Sequence, residues 1–234
     1  MKRLSKIQKR ILCYLGLAII FLLMGNSNNV PDMFVEKIFK PISGRNWVIN
    51  YAGLIIIVGI YYCLKQINEV RENSFIRTAF RRVITTIVVI YIFSSMWRYC
   101  IKFYKGFSND LNSIYINRDK TIVNFYGSEN KLTVNGTIDI VNCSNDTQRF
   151  YIKIKTPYLV KGDTNKEYIT LENEIKLQKK ELKTLIINED FNFNREDKYS
   201  IYNSRAYEYI LYNDKDEVIF KGTFGEYKTY HYDL

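Results

Sequence analysis

The chain has 234 residues, a net charge of +10 at pH 7 and a hydrophobic fraction of 47%. The charge is unevenly divided, because residues 1–104 contain 15 Lys and Arg against 4 Asp and Glu, whereas residues 105–234 contain 19 against 20. The excess positive charge therefore lies in the apolar N-terminal half and not on a separate soluble face, which argues against a nucleic-acid partner.

The N-terminal half contains three stretches without a charged residue: Ile11–Gly25, Trp47–Leu64 and Val83–Trp97. A helix that crosses a bilayer needs about 20 mostly apolar residues, and long basic side chains at its ends can reach the head groups. The pattern predicts a membrane domain, residues 1–104, with three transmembrane helices at about 7–25, 47–64 and 83–101. The lipid bilayer is therefore the first expected partner.

The distribution of Lys and Arg predicts how this domain is oriented. The N-terminus and the link 65–82 together contain ten of these residues, whereas the link 26–46 and the stretch after the third span contain six. Because cytoplasmic loops are enriched in Lys and Arg, we expect a multi-pass protein of the cytoplasmic membrane with a cytoplasmic N-terminus. A cleaved signal peptide is the alternative for the first segment. Both alternatives leave the C-terminal half outside the cytoplasm.

Two links between the apolar stretches have helical patterns. The segment between Pro31 and Pro41 has Phe34, Ile38 and Phe39 at helical spacing, which predicts a short amphipathic helix. Such a helix could lie on the membrane surface or pack against the spans. The link 65–82 mixes charged and apolar residues and is expected to extend the neighbouring helices.

From Ser113 onward, alternation of apolar and polar residues replaces helical spacing. Leu132, Val134, Ile138 and Ile140 share one parity, and this parity continues through Asn135-Gly136. We therefore predict one long strand there, with a bulge or a close backbone approach at Gly136, and not a hairpin. Phe150, Ile152 and Ile154 predict a second alternating strand. Further strands are predicted at 113–117, 121–126, 167–171, 174–177, 182–187, 198–202, 207–212 and 217–223.

Seven to ten short strands separated by turn residues predict an all-β C-terminal domain, residues 105–234, folded as an antiparallel β-sandwich. The segment from Gly136 to Ile154, a strand followed by a polar turn and a second strand, resembles bacterial Ig-like and fibronectin-III-like domains. This resemblance implies an Ig-like β-sandwich. It lacks the disulfide and the buried strand Trp of antibody-type domains, since both tryptophans, Trp47 and Trp97, lie in the N-terminal half. A closed barrel is the alternative fold.

The sequence contains no recognisable catalytic, cofactor-binding or metal-binding constellation. His231, the only histidine, lies four residues from the C-terminal end of the sequence. The acidic clusters around Asp190 and Asp214 do not follow a calcium-loop pattern and are expected to be solvated turn residues. Cys143 is the only cysteine after residue 104. We therefore expect a non-enzymatic protein without cofactor or metal, and no residue can be assigned to partner binding.

Twenty tyrosines are the most unusual feature of the composition, and they concentrate toward the C-terminus. Core and cross-strand packing is favoured for them over a dedicated recognition face. The leading functional hypothesis is a membrane-anchored protein that presents its β-sandwich for protein–protein interaction in the cell envelope. The alternative is an accessory or sensor subunit of a membrane transporter or signalling complex.

Overall fold

The structure is a computed structural model that describes residues 5–43, 48–70, 77–128, 131–157, 166–192, 199–202 and 207–222. The chain divides into two compact units. The first comprises residues 1–27 and 32–100, and the second comprises residues 28–31 and 101–234. Each unit has a hydrophobic core cluster of its own.

The first unit is mainly helical. Its elements are α1 (Lys6–Leu23), α2 (Phe34–Ile38), β1 (Ile42–Ser43), β2 (Val48–Ile49), α3 (Ala52–Val70) and α4 (Ala79–Lys105). Strands β1 and β2 pair antiparallel, and the last five residues of α4 belong to the second unit. The amphipathic helix predicted between Pro31 and Pro41 is confirmed as α2, and the predicted helical extensions are confirmed as far as Val70 and from Ala79 onward.

Side chains define where these helices begin. Ser5 and Gln8 form a reciprocal capping box, in which the Gln8 N–H donates to Ser5 Oγ at 3.2 Å and the Ser5 N–H donates to Gln8 Oε1 at 2.9 Å. This pair satisfies two main-chain donors that have no partner inside α1. The Glu36 carboxylate accepts from the Met33 N–H at the start of α2. Asn50 Oδ1 accepts from the Ala52 N–H at 3.1 Å at the start of α3.

The core of the first unit follows one face of α3. Ala52, Ile56, Ile60 and Leu64 recur every four residues and are all buried. This spacing places them along one stripe of the helix. Val35 of α2 completes the buried cluster, and apolar side chains of α1 and α4 pack against it. At the far end of α4, Trp97 donates its indole N–H to the Asn26 carbonyl at 2.9 Å.

The prediction of three transmembrane helices is wrong. Within the described ranges, only α4 is long and apolar enough to cross a membrane, by length and composition. The 18 residues of α1 include three cations, Lys6, Lys9 and Arg10. Burying these charges in lipid is costly. The predicted multi-pass topology depended on all three spans and is not supported either.

The second predicted span differs most from the observed structure. Of residues 48–64, the described part of this stretch, only Ala52–Leu64 is helical, because Val48–Ile49 forms β2 and Asn50 caps α3. The helix then continues through Lys65 and Glu69 to Val70. An uncharged run of sequence therefore does not coincide with an uncharged helix here.

The described residues of the second unit form ten strands, and each overlaps one of the predicted strands, with the strand Leu182–Asn192 extending five residues beyond its predicted end. They are β3 (Ile114–Ile116), β4 (Ile122–Ser128), β5 (Lys131–Asn142), β6 (Gln148–Lys155), β7 (Tyr168–Thr170), β8 (Ile175–Leu177), β9 (Leu182–Asn192), β10 (Tyr199–Tyr202), β11 (Tyr209–Tyr212) and β12 (Glu217–Phe220). Every strand pairing among them is antiparallel.

These strands form two five-stranded sheets. The first has the order β10-β4-β5-β3, with β9 also paired to β5, and the second has the order β12-β11-β6-β7, with β8 also paired to β6. One hydrophobic cluster takes side chains from both sheets, including Phe125 and Val134 from the first and Phe150 and Ile152 from the second. The C-terminal region is therefore an antiparallel β region compatible with a β-sandwich.

Gly136 confirms the prediction of one long strand with a close backbone approach. It lies in the middle of β5, has φ of +145°, and is paired with Val123 of β4. A Cβ at this position would overlap the Ile122 carbonyl. Only glycine combines this dihedral angle with this approach.

Residues 28–31 join the second unit although they are far from it in sequence. The Asn28 side chain donates from Nδ2 to the Ile116 carbonyl and accepts at Oδ1 from the Ile116 N–H, both at 2.8 Å. Asn28 is 8% exposed. The next residue, Asn29, accepts at its carbonyl from the Lys221 N–H. The chain segment after α1 is thus hydrogen-bonded into the β region.

Candidate protein-interaction face

The outward side of the second sheet carries the candidate site. On β6, Phe150, Ile152 and Ile154 are fully buried, so Tyr151, Lys153 and Lys155 point to the opposite side. Tyr212 of β11 and Tyr168 of β7 lie on this same side, because they are paired with Tyr151 and Lys155. We call this surface, formed by Tyr151, Lys153, Lys155, Tyr168 and Tyr212, the tyrosine–lysine face.

Tyr151 and Tyr212 form its centre. The two residues are directly opposite each other in the β6–β11 ladder. Their rings are stacked, with centroids 5.6 Å apart and an interplanar angle of 30°. Aromatic cross-strand pairs of this type contribute up to about 1 kcal/mol relative to two alanines. The pair therefore holds both rings in a defined orientation on the surface.

Lys153 is positioned over this pair. Its ammonium lies 4.1 Å from the centroid of the Tyr212 ring and 3.9 Å from a Glu217 carboxylate oxygen on β12. The Lys153 side chain is only 30% exposed. A cation over an aromatic ring is attracted by the ring quadrupole, so this lysine is held against the tyrosines.

A second group of contacts adjoins the first. The Tyr168 hydroxyl donates to Glu208 Oε1 at 2.6 Å, and Lys155 Nζ lies 3.3 Å from the same oxygen. Burial raises the pKa of Tyr168, and the hydrogen bond to Glu208 raises it further. The phenol therefore stays protonated and remains a hydrogen-bond donor at physiological pH.

The tyrosines of this face belong to a residue type that is enriched in protein-binding surfaces, whereas lysine is depleted there. Tyrosine combines a large apolar area with a polar tip and is enriched at interfaces. The rim includes Arg149, whose side chain is 61% exposed, and Ile219, which is 43% exposed. Because neighbouring side chains already hold the central rings, a partner would lose less rotamer entropy on binding.

The structure divides the tyrosines between core and surface. Tyr207 and Tyr209 are buried at 0% and 1% exposure, and the Tyr207 ring packs edge-on to Phe125 at 5.0 Å. Core and cross-strand packing, predicted as the main role, is confirmed for these two and for Tyr212. The outward pairing of Tyr151 with Tyr212 was not predicted, because it depends on a strand register between residues 61 positions apart.

The predicted turn role is confirmed for the cluster around Asp214 and is wrong for Asp190, which lies within strand β9 and is paired with Thr133. Asp190 lies 2.9 Å from Lys131 Nζ and accepts from the Thr133 hydroxyl at 2.7 Å. These two hydrogen bonds lower the pKa of Asp190. In the β11–β12 hairpin, Asn213 Oδ1 accepts from the N–H groups of Lys215 and Asp216. Within the described ranges, no group of three or more His, Cys, Asp or Glu could hold a metal ion.

Some residues considered in the sequence lie outside the described residues. His231 and the tyrosines after residue 222 belong to this group. Nothing structural follows for them. The expected absence of a catalytic histidine therefore stays a prediction.

Two buried polar groups lie near the beginning of the β region. Lys105, 6% exposed, donates from Nζ to Asn29 Oδ1 and to the Asn112 carbonyl, each at 2.8 Å, and lies 5.0 Å from the Phe220 ring centroid. Cys143 is also 6% exposed. Burial raises the pKa of its thiol, and the nearby Lys105, Lys102 and Lys180 offset part of that rise. An inert, protonated thiol is expected there.

Comparisons of the chain with protein-family models, curated proteins and solved structures found no match. The tyrosine–lysine face and the apolar helix α4 are the two features of the chain that bear on its function.

Proposed function

We propose that the chain is a membrane-anchored, non-enzymatic protein whose β region, an Ig-like β-sandwich, binds another protein of the cell envelope through the tyrosine–lysine face. The observation that carries this proposal is the Tyr151–Tyr212 stack with Lys153 held 4.1 Å from the Tyr212 ring. Tyrosine is one of the residue types that dominate binding energy at protein interfaces. In this function, the partner covers the outward side of the second sheet.

Helix α4 is the proposed membrane anchor, with residues 83–101 in the lipid. Large apolar side chains along it, including Ile87 and Tyr91, are 62% and 71% exposed. Apolar surface on this scale is stable against lipid chains and costly in water. A single crossing of 19 residues lies within the range of about 17–25 residues for a transmembrane helix.

The β region is proposed to lie outside the cytoplasm. Arg77, Arg81 and Arg82 precede the apolar part of α4. Of the cations after it, Lys102 lies 4.9 Å from the Tyr115 ring centroid and Lys105 is bonded to Asn29. The link 65–82 before the span contains five Lys and Arg, against Arg98, Lys102 and Lys105 at its other end, so the N-terminal flank has the excess of cations expected on the cytoplasmic side.

A photo-crosslinking experiment tests the binding face. Placing p-benzoylphenylalanine at position 151 of the full chain in native membranes should capture a partner. Tyr212→Ala combined with Lys153→Ala should reduce this capture at least about tenfold, because it removes the stack and the cation together. Tyr126→Ala is the matched control, since Tyr126 lies on the outward side of β4 in the other sheet. Equal capture by the two variants would disprove the proposed face.

A second candidate function is an accessory or sensor subunit of a membrane transporter or signalling complex. The exposed apolar side chains of α4 favour it, because they could contact another membrane helix as well as lipid. Deleting residues 106–234 distinguishes the two candidates. Retained association with the membrane complex would support the subunit function, and lost association would support binding through the β region.

A further inference from the structure

Strand β9 forms an edge of the first sheet. All eleven of its residues, Leu182–Asn192, are paired with β5 in one constant antiparallel register. Within the described ranges, β9 is paired with no other strand. The side of β9 away from β5 therefore presents main-chain donors and acceptors along its whole length.

This edge lacks two of the usual devices that prevent strand addition, and its charged residues, Lys183, Glu189 and Asp190, lie toward its ends. It contains no proline, and the constant register of its ladder shows no bulge. Ile186, at its centre, is 84% exposed. The neighbouring positions on the same face of β9 are polar, namely Thr184 and Asn188. A long, regular edge strand with an exposed apolar residue at its centre favours pairing with another strand.

The positions of the charged residues on β9 indicate which strand is suited to pair with it. Lys183 lies near one end and Glu189 near the other. Within the described ranges, neither side chain has an ion-pair partner. Glu189 accepts a hydrogen bond at 3.1 Å from the N–H of Glu172, in the link between β7 and β8. An antiparallel copy of the same strand would bring its lysine end to the acidic end.

The register follows from strand geometry. Two antiparallel β9 strands in one continuous sheet keep like faces together only if residues of the same parity are opposite each other. Among such registers, the one that places Lys183 directly opposite Glu189 is centred on Ile186. In it, Ile186 faces Ile186 of the second copy, and Thr184 faces Asn188.

We propose that two copies of this chain associate through antiparallel pairing of their β9 strands, centred on Ile186, which joins their first sheets into one continuous sheet. The two-fold symmetry produces two Lys183–Glu189 cross-strand pairs and buries the exposed Ile186 side chains against each other. This association uses the other sheet from the tyrosine–lysine face. It therefore stands independently of the proposed function.

Disulfide formation tests the register. Cys13 and Cys100, the two cysteines that are not buried, are first replaced by serine in the full chain. Ile186→Cys in native membranes should then form a disulfide-linked dimer on mild oxidation, because directly opposite Cα atoms lie about 4.5–5.5 Å apart. Thr184→Cys is the matched control. In this register its two copies are four residues out of line, about 13 Å apart, which is beyond disulfide reach.

A mixture of two differently tagged chains completes the register test. Thr184→Cys in one chain and Asn188→Cys in the other should cross-link at least about tenfold more than Thr184→Cys alone, since only the mixed pair is directly opposite. Equal cross-linking of Ile186→Cys and Thr184→Cys would overturn the proposal. Capture of a different protein by Ile186→Cys in place of a second copy would also overturn it.

Molar mass in mild detergent provides a test without engineered cysteines. The native chain should be a dimer and Ile186→Lys a monomer, because two lysines would then be opposite each other at the symmetry axis. Lys183→Glu alone should weaken the dimer, and Lys183→Glu with Glu189→Lys should restore it. A monomeric native chain, or a dimer insensitive to Ile186→Lys, would overturn the proposal.

Discussion

The Asn28 side chain forms two hydrogen bonds with the main chain of Ile116, the same two that a residue of a neighbouring strand would form. Asn28 Nδ2 donates to the Ile116 carbonyl and Asn28 Oδ1 accepts from the Ile116 N–H, both at 2.8 Å and both buried. An amide side chain thus satisfies the main chain of β3 where no strand of the described residues does. The segment after α1 is thereby part of the β region.

Asn28→Ala should destabilise the β region by about 1–3 kcal/mol, because a buried N–H and a buried carbonyl lose their partners. Hydrogen exchange of the full chain should show faster exchange at the Ile116 amide. Asn112→Ala is the matched control, since Asn112 is exposed and its described hydrogen bonds use main-chain atoms. Unchanged protection of Ile116 in Asn28→Ala would contradict the assigned contact.

Lys105→Met should also destabilise the chain by about 1–3 kcal/mol. The substitution keeps most of the apolar volume but leaves Asn29 Oδ1 and the Asn112 carbonyl without the ammonium that they share. The shift is measured as a change in the urea midpoint of the full chain in detergent.

Lys102→Met is the comparison for this variant. Lys102 is less buried than Lys105 and lies over the Tyr115 ring, so its replacement should cost less than about 1 kcal/mol. If the two variants lowered the urea midpoint equally, the buried hydrogen bonds of Lys105 would not be the source of its effect.

The strands could be predicted from the sequence because alternation is a local signal. Phe150, Ile152 and Ile154 alternate with polar residues, and the structure buries these three. The partner of each strand could not be predicted in this way. The Tyr151–Tyr212 stack and the Asn28–Ile116 contact both join residues more than 60 positions apart, and such register depends on packing that only the folded chain defines.

The membrane prediction failed for a different physical reason. It counted uncharged residues, whereas crossing a membrane requires those residues to form one continuous helix. Val48–Ile49 pairs with β1, and Asn50 caps α3. The strand pairing and the cap both depend on hydrogen bonds of the local main chain and side chains, and a count of apolar residues does not detect them. The predicted third span has no such interruption, and α4 covers it entirely.

Gly136→Ala should lower the free energy of unfolding of the β region by about 3 kcal/mol or more. The native φ of +145° is strained for any residue with a Cβ, and that Cβ would overlap the Ile122 carbonyl on β4. We expect lost resistance of the β region to limited proteolysis at temperatures where the native chain is intact. Thr137→Ala, at the next position of the same strand, should cost less than about 1 kcal/mol. Similar protease sensitivity in both variants would contradict this role for Gly136.

Cys143 should make stability fall at alkaline pH. Burial raises the pKa of its thiol above the ordinary value of 9.0, so the folded chain holds the proton in a range where the unfolded chain has released it. The stability that the buried thiol contributes is fully present below about pH 9, and it is lost as the pH rises through the pKa of Cys143 in the folded chain. The measurement compares the urea midpoints of native chain and Cys143→Ala between pH 7 and pH 10.

The difference in urea midpoint between the native chain and Cys143→Ala reports on the thiol alone, because the lysines and tyrosines that titrate in the same pH range are present in both chains. Cys143→Ala should be less stable than the native chain at pH 7, because it removes buried volume. The difference between their urea midpoints should become smaller as the pH rises. Thiol labelling provides an independent check, since the buried Cys143 should react far more slowly at pH 8 in the folded chain than in the chain unfolded by urea. A difference in midpoint that stays constant with pH, together with rapid labelling of Cys143, would show that the thiol is not held protonated in the core.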